Sequence, residues 1–166
     1  MNKLLILLAA AFITVSAQAS DSTTIQKAES VAATEHRYIL LNFSGSDWCV
    51  PCIKMRKSIF ESSVFKEFQS KKLVWVNADF PRSQKNLTKK QVKENEQLAE
   101  QYNKEGGFPF TLLLDEKGGV VKTWSGFPGV TAEQFINEIN TAIEARSSTA
   151  PATGAQKSAE TDGQPL

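Results

Sequence analysis

Cysteine and histidine are scarce in this chain of 166 residues, which holds two of the first and one of the second. Two cysteines permit at most one internal disulfide. Charge of either sign is not in excess. Removing Lys3, for reasons given next, leaves 18 basic residues against 18 acidic ones. That balance excludes the basic footprint of a nucleic-acid-binding protein. An apolar run of the roughly 20 residues needed to span a membrane is also missing. The longest run, Leu4 to Val15, follows Lys3 and precedes Ala17-Gln18-Ala19. A basic start, a short apolar stretch and a small-residue cleavage site describe a secretory leader over residues 1–19, not a stable membrane anchor. No cysteine lies near the cut, which excludes a lipoprotein anchor there.

What is present centres on Ser46-Asp47-Trp48-Cys49-Val50-Pro51-Cys52, which holds both cysteines three apart. The apolar run Tyr38 to Phe43 before it reads as a strand. Behind it Ile53, Met55, Ile59 and Phe60 fall among Lys54, Arg56, Lys57 and Ser58, an amphipathic helical pattern. A CxxC pair at a strand-to-helix turn, with the second cysteine opening the helix, reads as a thiol redox motif. Unpaired N–H groups at a helix start stabilise a thiolate, so Cys49 is expected to be the nucleophile and Cys52 the resolving thiol. Pro51 is tolerated in a first helical turn. In an exported protein a merely structural Cys49–Cys52 bridge is the alternative, although so short a loop constrains the unfolded chain little.

The stretch WCVPC after an apolar strand resembles the thioredoxin superfamily, and Phe43-Ser44-Gly45-Ser46-Asp47-Trp48-Cys49 is similar to its exported bacterial thioredoxin-like members. Asp79-Phe80-Pro81-Arg82, after the strand Leu73 to Asp79, resembles a signature of the same group. The resemblance implies an α/β thioredoxin fold with a central mixed sheet and helices on both faces. It further implies that Pro109, in Gly106-Gly107-Phe108-Pro109-Phe110-Thr111, is cis and lies against the CxxC pair. Trp48, Phe108 and Pro109 would then bind substrate, with the Phe108 backbone pairing to an extended segment.

The remaining segments read in order. Residues 23–36 form a helix with Thr23 and Gln26 at capping-box spacing, expected on the sheet edge with Ile25, Ala28, Val31 and Ala32 inward. Residues 61–68 give a second helical piece with Val64, Phe65 and Phe68 inward. Residues 82–104 read as an insertion relative to a minimal thioredoxin, a loop and then a helix from about Thr88, with its charge on a solvated face. Asp115 to Gly119 turns the chain into an antiparallel strand from Val120. Thr131 and Gln134 open a last helix that buries Phe135, Ile136, Ile139 and Ile143 and fades at Arg146. Residues 147–166 are too poor in apolar residues to fold, so the domain is set at 20–146 with a disordered tail.

One family feature is missing. Many thioredoxins bury an acid in the strand before the CxxC, and the matching residue here is Asn42, which cannot exchange a proton. Asp47, Glu100 and Glu105 are candidate replacements, with Asp47 reading as a turn residue. Pro51, rather than a histidine, before Cys52 resembles reducing members of the superfamily. The expected protein is therefore a periplasmic or secreted monomer that reduces protein disulfides, takes electrons from a membrane thiol carrier and needs no cofactor or metal. An oxidase or isomerase, a binding module with a static disulfide, and copper delivery through the two thiolates are the rival readings. His36 precedes the first strand and reads as a surface residue rather than a third copper ligand.

Overall fold

A computed structural model describes residues 23–149. The expected leader and almost all of the expected tail lie outside the described residues. The elements run α1 (Thr24–Glu35), β1 (Tyr38–Ser44), α2 (Val50–Met55), a π turn (Arg56–Phe60), α3 (Ser63–Lys72), β2 (Leu73–Asp79), α4 (Lys89–Tyr102), β3 (Phe110–Leu114), β4 (Val120–Ser125) and α5 (Ala132–Thr149). The last helix thus continues three residues beyond Arg146, where its apolar pattern fades.

The strands form one sheet in the order β2-β1-β3-β4. β1 and β2 are parallel, β1 and β3 antiparallel, and β3 and β4 an antiparallel hairpin with a bulge at Leu113/Leu114. A central strand is covered on both faces, which explains why β1 is apolar almost without interruption. Its side chains divide by period two. Ile39, Leu41 and Phe43 join Val76, Ala78, Leu112 and Leu114 in a core closed by Ala28 and Ala32 of α1 and Leu98 of α4. Leu40 faces the opposite way, into a core of Met55, Ile59, Phe60, Phe65, Trp124, Phe135 and Ile139. Phe135 sits at its centre, with ring contacts to Phe60, Phe65 and Trp124.

Thr23, Thr88 and Thr131 begin α1, α4 and α5, each accepting a hydrogen bond from the backbone N–H of a glutamine three residues on, whose side chain returns the bond. Each such cap stabilises its helix by about 1 kcal/mol.

Three expectations change. α1 lies across the sheet face over β2 and β1, not beside an edge, because Ala28 and Ala32 are small enough for close approach. Val64 is exposed, since Ser62 caps α3 and the helix phase then turns Phe65 inward, as expected, but not Val64. The segment read as an insertion supplies α4, which covers the second face through Leu98, Ala99 and Tyr102 and is an integral layer of the fold. Its charge does stay on the outer side.

Candidate active site

β1 delivers the chain into a tight turn in which the N–H groups of Trp48 and Cys49 both donate to the Gly45 carbonyl. Gly45 is required there, because a Cβ would come within 2.3 Å of the Trp48 indole. Cys49 then caps α2. Its backbone is extended, and its sulfur accepts the Cys52 N–H at 3.3 Å. The helix therefore starts just after Cys49, two residues earlier than the sequence pattern suggests, and Cys52 is its third residue. A sulfur in the capping position is where a helix start favours negative charge. The two cysteines form a disulfide with Cα atoms 5.2 Å apart. Both are buried, at 4% exposure each.

Beyond α2 the helix widens into the π turn, where Glu61 N–H reaches the Arg56 carbonyl at 2.8 Å. Ile59 and Phe60 of this turn both reach the core.

Phe108–Pro109 is a cis peptide bond at the start of β3. Because Phe43 pairs with Phe110, Pro109 stands at the same end of the sheet as the turn that carries the cysteines. The loop into it is held by Asn103, buried at the end of α4, which donates to the Gly107 carbonyl and accepts the Gly107 N–H, both at 3.0 Å. On the far side Gly126 N–H donates to the Pro109 carbonyl at 2.8 Å. Among the described residues the Phe108 N–H and C=O take part in no hydrogen bond. The Phe108 ring meets the Trp48 indole edge-on at 5.6 Å and Phe80 at 5.5 Å. Trp48 is fixed by its indole N–H, which donates to the Phe80 carbonyl at 2.7 Å. Trp48, Phe108 and Phe80 thus form an aromatic shelf next to the turn that carries the cysteines; the sequence reading quoted Phe80 only within the Asp79–Arg82 signature and did not single out Asn103.

A family model described as thioredoxin-like matches residues 19–116. The chain belongs to the thioredoxin-like family. It is 38% identical over 113 residues to a protein of Chlamydia pneumoniae named disulfide bond reductase DsbH, a match covering 68% of this chain and 66% of that one. The chain thus spans just under two thirds of the length of this curated relative. A solved structure described as DsbH oxidoreductase superposes with a TM-score of 0.67 at 32% identity, over 74% of this chain and 83% of the other. A disulphide isomerase from Xylella fastidiosa shares the fold, with a TM-score of 0.54 at 20% identity over 79% of this chain and 99% of its own.

In this thioredoxin-like chain the position of the missing acid is the middle of a hydrogen-bonded row. Asn42 donates its amide N–H to Asn77 Oδ1 at 2.8 Å and accepts the Thr111 hydroxyl on its own Oδ1 at 2.9 Å. Asn42 and Thr111 are almost fully buried, so their polar groups are satisfied across three neighbouring strands. One rung further along, Ser44 pairs in register with Asp79. The Asp79 carboxylate accepts the Ser44 hydroxyl at 3.1 Å, the Ser46 N–H at 2.9 Å and the Ser46 hydroxyl.

The three candidate replacement acids are elsewhere. Asp47 accepts the N–H groups of Arg82 and Ser83 at 2.9 and 3.3 Å, and the first of these is the main reason its carboxyl is held below the usual carboxylate range. It is a turn residue. Glu100 and Glu105 are exposed and do not line the cavity at Cys52. His36 ends α1 in a left-handed conformation, at the opposite end of β1 from the cysteines. Seven strand residues separate the two ends by roughly 20 Å, which removes His36 as a partner of a thiolate pair. Among the described residues no group of three or more His, Cys, Asp and Glu side chains could hold a metal ion, and no helix is long and apolar enough to cross a membrane.

Proposed function

We propose that this protein is an exported thiol-disulfide oxidoreductase that reduces disulfides in proteins. Cys49 is the nucleophile. Its thiolate, capping α2 and receiving the Cys52 N–H, attacks a substrate disulfide, and the released substrate sulfur leaves as a thiolate. Cys52 then attacks Cys49, expels the second substrate thiol and closes the Cys49–Cys52 bond. Two electrons pass from the dithiol to the substrate. The observation that carries this reading is the unpaired backbone of Phe108 at the cysteines' end of the sheet, its ring against Trp48, which offers an extended segment a place to add as a strand. Trp48 and Phe108 supply the apolar shelf and Pro109 fixes the edge on which that segment lies. The name of the Chlamydia pneumoniae relative supports the reducing direction, as does Pro51 where strong oxidants carry histidine.

The wider setting follows from the sequence. Residues 1–19 act as a cleaved leader, so the mature protein works as a monomer in the periplasm or outside the cell, and a membrane thiol carrier restores its dithiol. The deciding experiment replaces Cys52 with Ala and looks for trapped mixed disulfides through Cys49. Trapping of disulfide-bearing proteins is expected, and none with Cys49 intact overturns the reading.

The burial of both sulfurs favours a second reading, a binding module that keeps the disulfide closed. Alkylation separates the two. After mild reduction, the enzyme reading expects one thiol to react rapidly near neutral pH, whereas a module expects both to react slowly.

A further inference from the structure

Asn42, Asn77, Ser44 and Ser46 line a cavity of about 360 Å³ together with Cys52, and Asp79 lies behind the two serines, bonded to both. Asn42, Ser44, Asn77 and Asp79 lie on the face of β1 and β2 that continues from Leu40 and Trp75. Resolution of a mixed disulfide requires the Cys52 thiol to lose its proton, since only a thiolate attacks sulfur. A thiol near its ordinary pKa of about 8.5 is mostly protonated at neutral pH, and burial raises it further. A proton acceptor is therefore needed on the Cys52 side, and the side chain at Asn42 cannot act as one. Its amide is also committed on both atoms, to Asn77 and Thr111.

We propose that Asp79 is the proton acceptor for Cys52, reached through the Ser44 and Ser46 hydroxyls and the cavity between them. A hydroxyl both donates and accepts, so it passes a proton on without changing its own charge. Both serine hydroxyls donate to the Asp79 carboxylate, one to each oxygen, and both serines line the cavity that Cys52 lines. A cavity of this size, with Asn42, Ser44, Ser46 and Asn77 along one wall, has room for the water that completes the path. The proton leaves Cys52 Sγ and arrives on an Asp79 oxygen. The Cys52 thiolate then attacks Cys49 Sγ, the bond from Cys49 to the substrate sulfur breaks, and the electron pair leaves with the substrate. Asp79 afterwards returns its proton to solvent.

Other charges face the same space. Arg56 and Glu61 pair with each other at its exposed rim, and Lys66 lines it as well. Asp47 and Arg82 lie in the loops beside Asp79 and engage each other. Glu61 is the rival carboxylate, and its tie to Arg56 sets it apart from the serine path.

The proposal rests on the thiol-exchange reading of Cys49 and Cys52, and its test keeps the two apart. Reduced full-length protein is mixed in a stopped-flow instrument with one equivalent of dithiobis(nitrobenzoate), and the coloured thiolate is followed. The first release reports attack by Cys49; the second reports resolution by Cys52. Asp79→Asn and the double variant Ser44→Ala/Ser46→Ala should keep the first phase and slow the second at neutral pH, on the order of 100-fold. The lost rate should return as the pH is raised past the ordinary thiol range, where Cys52 ionises without an acceptor. Glu61→Gln should leave both phases unchanged.

The sign discriminates against a purely electrostatic role. A negative Asp79 acting only through its charge would disfavour the Cys52 thiolate, so Asp79→Asn would then accelerate the second phase. A second phase that is unchanged or faster in Asp79→Asn overturns the proposal. If that variant does not fold, the serine pair decides alone, and an unaltered second phase there overturns it equally. Loss of the second phase in Glu61→Gln would move the role to Glu61. A first phase no faster than that of an ordinary thiol would instead sink the reading of Cys49 as the nucleophile.

Discussion

Asn42 and Asn77 face each other across parallel strands β1 and β2, joined at 2.8 Å by an amide N–H that a carboxylate could not supply. Asn42→Asp would therefore do more than restore an acid. It would place a carboxylate where Asn42 is only 4% exposed, and the Asn77 amide would have to turn its NH2 toward it and give up the Ser44 hydroxyl. At neutral pH the cost should be on the order of 3 kcal/mol. Burial raises the new carboxyl's pKa in the folded state. A group with a raised folded pKa contributes stability that is present below its unfolded value, near 4, and is lost as pH rises through the folded value. Melting temperature measured against pH should thus show the variant close to the parent in acid and falling behind as pH increases. A constant gap would mean that the carboxyl does not titrate in this environment.

Gly45→Ala tests the turn. The added methyl would lie 2.3 Å from the Trp48 indole, so the ring must leave its position against Phe108 and the Phe80 carbonyl. Overpacking of this kind costs about 1–3 kcal/mol. The expected signature is a lower urea midpoint and slower reduction of a disulfide-bonded protein, with less effect on a small aryl disulfide that does not use the shelf. Equal slowing of both substrates would place the damage at the sulfurs instead.

Much of this was legible in the sequence, and most of the parts that were not share a cause. The strands beginning at Tyr38 and Leu73, the three Thr-x-x-Gln caps and the hairpin at Asp115 are local patterns, and each is found where the pattern puts it. The row Asn77–Asn42–Thr111 joins residues 35 and 69 positions apart, so no window of sequence contains it. Asp79 reads as the end of a strand until register sets it opposite Ser44. The π turn is invisible because the apolar residues on it fit an ordinary helical pattern. The helix from Thr88 reads as part of an insertion because its apolar residues are few, and Leu98 reveals its role only once the sheet face beneath it is in place.

Asp115 gives a pH-dependent contribution far from the cysteines. Partial burial pushes its carboxyl up, but the N–H groups of Gly119 and Lys117 and the Arg146 guanidinium more than offset this and hold it below the usual value. A depressed folded pKa contributes stability that is present above the unfolded value, near 3.9, and is lost as pH falls through the folded one. Asp115→Asn should therefore melt below the parent at neutral pH, and the gap should close as the medium is made strongly acid. Thermal unfolding followed by circular dichroism between neutrality and strong acid measures it. A gap that widens in acid would contradict the assignment of these contacts to the ionised form.

Asn103 offers the cleanest separation between binding and chemistry, because it touches neither sulfur. Its side chain bonds both the N–H and the C=O of Gly107 and so fixes the path by which the chain arrives at Phe108 and Pro109. Asn103→Ala removes both bonds at a buried position, with an expected loss of about 1–3 kcal/mol. If Phe108 presents its backbone to an extended substrate, the loosened loop weakens that strand pairing while Cys49 keeps its capping geometry. KM for a disulfide-bonded polypeptide should then rise several-fold, kcat should change little, and the first-phase reaction of Cys49 with an aryl disulfide should be untouched. A fall in kcat with KM unchanged would mean that the Phe108 edge acts after binding, and the strand-addition account of this surface would have to be abandoned.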